Sequence, residues 1–222
     1  MKKFDAVIFD LDGTLLDTIE DIADSMNITL SRFGFPVHEK KKYLEFVGEG
    51  LEALAQKALP ADARNGETLA RCVEAMKKEY AGRWSNTSRP YPGVPELLDS
   101  LSCRRVKLSV LSNKADVFTK QMVETLLDKW RFVEVRGLSD DCPRKPDPCG
   151  ALLCAERMQV DPESCIFLGD SGIDMETGIR AGMFPVGALW GYQNRSILHS
   201  KGAKVVLEDP RELIPCMERE CR

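Results

Sequence analysis

The sequence predicts an α/β protein built on an open, mainly parallel sheet, with an all-helical block inserted near its start. Three observations predict it. Six short apolar runs, at residues 6–9, 106–111, 132–135, 166–168, 185–189 and 205–207, are near-continuous rather than alternating, as strands are when helices cover both faces of a sheet. Helical patterns separate most of these runs, which favours parallel crossovers over hairpins. The interval between the first and second runs is far longer than a single crossover helix needs.

Taken in order, the first run leads directly into FDLDGTLLDT at residues 9–18. The long interval then carries three stripes at helical spacing. Ile19, Ile22, Ala23, Met26, Leu30 and Phe33 form the first, which stops at Gly34. Leu51, Leu54, Ala55, Ala58 and Leu59 form the second, ending before Pro60, and Leu69, Val73, Met76, Tyr80 and Trp84 form the third. Such stripes are first of all core packing between helices. Their placement is more informative, because a helical module inserted just after the first strand hangs where a lid over the strand ends would hang. The turn-rich segment SNTSRPYPGV closes the block, and the α/β pattern then resumes. The expected organisation is a core domain of residues 1–14 and 91–222 and a helical cap domain of residues 15–90.

The bulk properties bound what such a chain does. With 222 residues, 43% hydrophobic and 30% charged, it can bury a real core, and global disorder is not expected. A net charge of −4 argues against coating nucleic acid or an anionic membrane, while leaving a phosphate ligand open, since one metal ion or a few cations reverse the field at a site. The eight cysteines are scattered, without a CxxC pair and away from His38 and His199, and are expected to be reduced thiols, many of them buried. The start MKKFDAVIFD reaches acidic residues at once, and no apolar run approaches the roughly 20 residues that span a bilayer. A cytoplasmic protein is therefore expected, and the sequons at Asn27, Asn86 and Asn194 are read as chance matches.

Four segments carry chemistry. In FDLDGTLLDT the first strand runs into Asp10 and Asp12, an i, i+2 pair that points to one side of an extended chain. Gly13 permits a tight turn and Thr14 offers a hydroxyl. Two carboxylates 4 Å apart repel by about 4 kcal/mol at an effective dielectric of 20, and a divalent cation is the natural group to offset that. VLSNK ends the second strand, where Ser112, Asn113 and free backbone N–H groups suit a phosphate oxygen, although Ser-Asn is equally a good N-cap. In RKPDP, Lys145 lies in a proline-stiffened segment and could neutralise a phosphate and a nearby carboxylate, or simply be solvated. In FLGDSGIDMETGIRAG, Asp170 ends the fourth strand and Asp174 shares its face if a helix starts at Ser171. All four fall at C-terminal strand ends or in the loops that follow, the edge where open α/β sheets bind ligands.

The ordered set DLDGT, SN, a KP lysine and GDxxxD resembles the haloacid dehalogenase superfamily. The resemblance implies a Rossmann-like core in which Asp10 attacks phosphorus to form an aspartyl-phosphate, with Asp12 as acid and then base. Thr14, Ser112, Asn113 and Lys145 would hold the phosphoryl group. Magnesium would sit against Asp10, the Asp12 carbonyl and Asp170, with Asp174 close by or acting through water. A carboxylic acid at Asp12 is similar to the phosphatase and phosphomutase branches and disfavours the carbon–halogen reaction. MKKFDAVIFDLDGTLLDT, VGEGLEAL, YPGVPELL, VLSNK, KPDP and LWGY together resemble the phosphoglycolate phosphatase branch, in which Gly48, Glu49 and Gly50 would form a substrate-selecting cap loop, although the same GEG is equally read as a helix-to-helix turn. That branch implies a small-molecule phosphate ester as substrate, with neither nucleic acid nor membrane as partner. The same motifs fit a phosphosugar mutase, a pyrophosphatase or a broad-specificity phosphatase. A non-catalytic binding module would be expected to have lost one of these carboxylates, and none is lost. Gly178 departs from the expected pattern, since a larger helix former such as Ala is expected there.

Overall fold

The computed structural model describes residues 4–220. Cys221, counted above among the reduced thiols, lies outside them. In chain order the elements are β1 (Ala6–Phe9), β2 (Leu16–Asp17), α1 (Ile19–Arg32), α2 (Lys40–Tyr43), α3 (Leu51–Ala58), α4 (Gly66–Ala81), β3 (Arg89–Pro90), α5 (Val94–Cys103), β4 (Lys107–Ala115), α6 (Asp116–Leu126), β5 (Glu134–Leu138), α7 (Cys149–Met158), β6 (Cys165–Gly169), α8 (Gly172–Arg180), β7 (Phe184–Ala188), α9 (Arg195–Ser200), β8 (Val205–Leu207) and α10 (Leu213–Glu220).

The chain divides into two compact units, one of Met1–Leu16 with Pro90–Arg222 and one of Asp17–Arg89. The first is the α/β unit. Its six-stranded sheet has the order β5-β4-β1-β6-β7-β8, and every pairing in it is parallel. The strand order reverses direction at β1, flanked by β4 and β6, so the crevice above its C-terminal end is the topological switch point where such sheets hold ligands. Ala6, Ile8, Phe167, Ala151, Cys154 and Met158 pack into one buried cluster between the sheet and α7. Gly178 is explained here: a Cβ at that position would stand 3.1 Å from the Phe167 Cβ and 3.2 Å from the Pro185 Cβ, so the missing side chain lets α8 lie close on the sheet.

The second unit is all-helical apart from its short ends. Ile22, Ala23, Met26 and Leu30 of α1 are buried, as are Leu54, Ala55 and Ala58 of α3 and Cys72, Met76 and Tyr80 of α4. One buried acid fastens it. The Asp21 carboxylate, 2% exposed, accepts hydrogen bonds from the amides and hydroxyls of both Thr87 and Ser88, at 2.7 to 3.1 Å. The bonds join the first turn of α1 to the returning chain 66 residues later.

One expectation is corrected. Cys142 and Cys149 form a disulfide, with Cα atoms 5.7 Å apart. The proline-rich segment between them turns back on itself, so two scattered cysteines become neighbours without any CxxC spacing. Cys72, Cys154, Cys165 and Cys216 are free and buried, and Cys103 is free and exposed. Among the described residues, no helix is long and apolar enough to cross a membrane.

Candidate active site

The site is built on the C-terminal ends of β1, β4 and β6. Asp10 follows β1 directly, and its amide donates to the Leu168 carbonyl at 2.9 Å, which extends the parallel ladder one residue past the strand. The chain then turns sharply. The Leu11 carbonyl accepts from the amides of Thr14, Leu15 and Leu16, and the Gly13 amide donates to the Leu16 carbonyl. Gly13 has φ +87°, and a Cβ there would lie 2.4 Å from an Asp170 carboxylate oxygen. Both the backbone conformation and the approach of Asp170 therefore require glycine.

Four carboxylates gather, each with defined partners. Asp10 accepts from the Leu11 amide at 2.7 Å and pairs with the Lys145 ammonium at 2.9 Å. Lys145, 3% exposed along its side chain, also pairs with Asp174 at 2.6 Å. The other Asp174 oxygen accepts from the amide and hydroxyl of Ser171, and the Ser171 hydroxyl accepts from the Asp174 amide, closing a capping box at the start of α8. Asp170 accepts from the Thr14 hydroxyl and the Tyr192 amide, both at 2.9 Å. Asp12 turns its carboxylate to Lys114, whose ammonium lies 2.8 and 2.9 Å from its two oxygens.

The lysine loop is positioned by the end of β4. The Asn113 side chain accepts from the Lys145 amide at 2.8 Å and donates to the Lys145 carbonyl at 3.1 Å, a two-way bridge between segments 32 residues apart. Ser112 is buried at the same strand end, and its hydroxyl accepts from the Lys114 amide at 3.2 Å.

The electrostatics call for a cation. One oxygen each from Asp10, Asp170 and Asp174 lies within 4.8 Å of the others, and all three residues are buried. Burial pushes the Asp10 carboxyl up to about 7; Lys145 pulls it down, and Asp174 pushes it further up. Asp170 is also raised well above its ordinary value, first by burial and then by the charges of Asp10 and Asp174. Burial works against the Lys145 ammonium, yet Asp10 and Asp174 outweigh it and hold the lysine above its usual range. One ammonium thus faces three crowded carboxylates. A hard divalent cation fits this all-oxygen cluster and would favour the ionised form of each acid.

The structure therefore brings Asp10, Asp12, Thr14, Ser112, Asn113, Lys145, Asp170 and Asp174 to one edge of the sheet. Gly48, Glu49 and Gly50 belong to the helical unit. They form the turn before α3, where Gly48 and Gly50 have φ +108° and +90°, and Glu49 pairs with Lys57 at 2.7 Å. Sequence reasoning gave no role to three residues of the site. Lys114 stands in VLSNK, where no neighbouring residue signals its partner. The Trp190 indole donates to the Thr14 carbonyl at 2.9 Å, and Tyr192 serves Asp170 through its backbone. LWGY held no local signal for this, because the contacts bridge 176 and 22 residues respectively.

Comparison with known proteins decides the family. The haloacid dehalogenase-like hydrolase profile matches residues 7–188, a span that contains all eight core residues named above. The chain belongs to the haloacid dehalogenase-like hydrolases. Within that family it is 32% identical over 212 residues to a phosphoglycolate phosphatase of Aquifex aeolicus, covering 96% of each chain. It is 30% identical to an N-acetylmuramic acid 6-phosphate phosphatase of Pseudomonas aeruginosa, covering 98% of this chain and 96% of that one. Among solved structures, a predicted phosphoglycolate phosphatase of Haemophilus somnus superposes with a TM-score of 0.89 at 25% identity, covering 97% of this hydrolase and 99% of that chain.

Proposed function

We propose that this hydrolase is a magnesium-dependent phosphatase that removes phosphate from a small phosphorylated metabolite of the phosphoglycolate type. The observation that carries the reading is the division of labour among the carboxylates. Asp10 sits in a buried cation-seeking cluster with Asp170 and Asp174, whereas Asp12, two residues on, is held apart by its own lysine. That division supports reading Asp10 as the nucleophile and Asp12 as the proton carrier. Relatives named as phosphoglycolate phosphatases support the substrate class.

In the first step an Asp10 oxygen attacks phosphorus, and the ester oxygen leaves with a proton from Asp12. In the second, Asp12 takes a proton from water as that water attacks the aspartyl-phosphate, breaking its phosphorus–oxygen bond and restoring Asp10. Ser112 and the Lys145 ammonium steady the phosphoryl oxygens. Asn113 and Thr14 contribute through the groups they hold, Lys145 and Asp170. Asp10, the Asp12 carbonyl, Asp170 and Asp174 would hold magnesium, which would neutralise charge on the phosphoryl oxygens and on the crowded acids.

The Gly48–Gly50 turn is proposed to select the substrate. Replacing it is expected to reorder a panel of esters more than it lowers the rate with a small aryl phosphate. A parallel fall on every ester would remove the turn from substrate choice. A second reading, a phosphorylated sugar acid as substrate, is favoured by the N-acetylmuramic acid 6-phosphate phosphatase relative. Phosphate release from both ester types, with magnesium and with chelator, separates the two. Isomerised sugar without free phosphate would point to a mutase instead.

The cytoplasm is the proposed location, supported by five free thiols among the described residues, while the Cys142–Cys149 bridge argues the other way. Thiol titration of freshly isolated protein decides between them.

A further inference from the structure

We infer that Lys114 is a positioning residue for Asp12, holding its carboxylate in the orientation in which it exchanges a proton with the leaving oxygen and then with water. The inference rests on the phosphatase reading, with Asp12 as acid and base. It goes beyond that reading by assigning a task to a lysine outside the metal and phosphate cluster.

The two lysines of the site divide the acids between them. Lys145 serves Asp10 and Asp174 and makes the nucleophile's surroundings. Lys114 reaches across from β4 to a residue 102 positions earlier and contacts both oxygens of Asp12. The torsion that turns an aspartate carboxylate is broad and two-fold, so the group does not hold its own orientation. Contacts of 2.8 and 2.9 Å from one ammonium fix both oxygens at once. The pair is largely withdrawn from solvent, with the lysine side chain 9% and the aspartate side chain 18% exposed, so water competes for it weakly.

The lysine is itself held. Its amide donates to the Ser112 hydroxyl at 3.2 Å, and its carbonyl accepts from the Thr119 hydroxyl at 3.3 Å. Gly137 of β5 packs so closely that a Cβ there would lie 2.6 Å from the Lys114 carbonyl oxygen. The ammonium therefore extends from a backbone pinned on several sides. This is the support a proton carrier needs when sub-ångström placement governs the rate.

The test uses leaving-group chemistry. The first irreversible step sets kcat/KM. It needs Asp12 as an acid when the leaving group is an alkoxide and hardly at all when it is 4-nitrophenolate. Lys114→Met and Lys114→Arg are assayed at saturating magnesium on 2-phosphoglycolate, glycerol 2-phosphate and 4-nitrophenyl phosphate, beside wild type and Asp12→Asn. For Lys114→Met, kcat/KM on both alkyl esters is expected to fall about 100-fold, within the range that general acid catalysis contributes. On the aryl ester it is expected to stay within about threefold. Lys114→Arg should recover roughly tenfold of the loss, and Asp12→Asn should show the same split between alkyl and aryl esters.

A parallel fall of kcat/KM on all three esters would make Lys114 a structural residue and overturn the inference. A loss confined to the carboxylate-bearing ester would make it a substrate ligand and overturn it equally. So would an unchanged Lys114→Met enzyme. These outcomes are distinct from failure of the underlying reading, in which wild type hydrolyses none of the esters, or Asp12→Asn retains full alkyl activity; either sinks both together.

Discussion

At the residue scale, the active site is a problem of like charges solved by partners. Asp10 lies among Asp170 and Asp174 with Lys145 as the nearby counter-charge, and burial raises its pKa from 3.8 to about 7. A carboxyl raised in the folded state stabilises the fold below its unfolded pKa, and that contribution is lost as pH climbs through the folded value. The metal-free protein is therefore expected to lose stability between about pH 4 and pH 7 on account of Asp10, with Asp170 acting in the same direction. Denaturant titrations with chelator present check this, and a flat profile across that window contradicts it. Asp10→Asn removes one of the repelling charges while keeping the shape. We expect turnover to fall by roughly 10⁴-fold or more, with a metal-free melting temperature at or above that of wild type. Wild-type rates in that variant would end the covalent mechanism.

At the scale of elements, one fastening joins distant segments and another closes a short loop, and each has a distinct signature on removal. Asp21 gathers amides and hydroxyls from Thr87 and Ser88 at the edge of the helical unit. Asp21→Ala leaves those buried donors without their acceptor and is expected to destabilise that unit by about 2–3 kcal/mol. Denaturation followed on Trp84, which lies in the same unit, should show it; an unchanged midpoint would mean that water replaces the carboxylate. The Cys142–Cys149 bridge closes a short loop around Lys145. Loop-closure entropy puts its contribution at roughly 2 kcal/mol. Cys142→Ser is expected to lower the melting temperature by a few degrees while keeping most of the activity, because the Asn113 bridge still holds the Lys145 backbone. Melting curves with and without reductant, compared with that variant, measure the effect. Equal curves for wild type with and without reductant would show that the bridge contributes nothing.

At the scale of the whole molecule, metal binding should couple to stability. A cation that binds only the folded chain stabilises it by about 2.7 kcal/mol at one hundred times its dissociation constant. Magnesium is thus expected to raise the melting temperature, and to weaken the loss of stability between acid and neutral pH by favouring ionised Asp10. Asp170→Asn should abolish most of the shift without unfolding the chain. An equal magnesium shift in that variant would place the cation elsewhere.

Much of the architecture was legible because it is written in local pattern. The near-continuous apolar runs mark strands covered on both faces, and five of the six lie within two residues of β1, β4, β6, β7 and β8 at their starting edge; the third begins two residues before β5 and stops three short of its end. That strand was the hardest to bound because Arg136, Gly137 and Leu138 are not an apolar run, and only pairing with β4 makes them extended. The acids at the strand ends were legible because a carboxylate and a glycine lie directly after the first and fourth apolar runs. Contacts between distant segments were not. Nothing near residue 114 says that its ammonium ends on Asp12, and nothing near Trp190 points to Thr14. The disulfide has no spacing signal either, since two cysteines seven residues apart meet only if the prolines between them fold the chain back.

The sequence by itself determined the element types, the parallel sheet, the helical insertion and the edge at which the chemistry gathers, because periodicity and turn residues act over a few neighbours. Only the tertiary structure decided which lysine serves which acid, which side chains hold those lysines, and which thiols pair. Those choices depend on distances between segments brought together by the sheet order, and sheet order is a property of the whole folded unit.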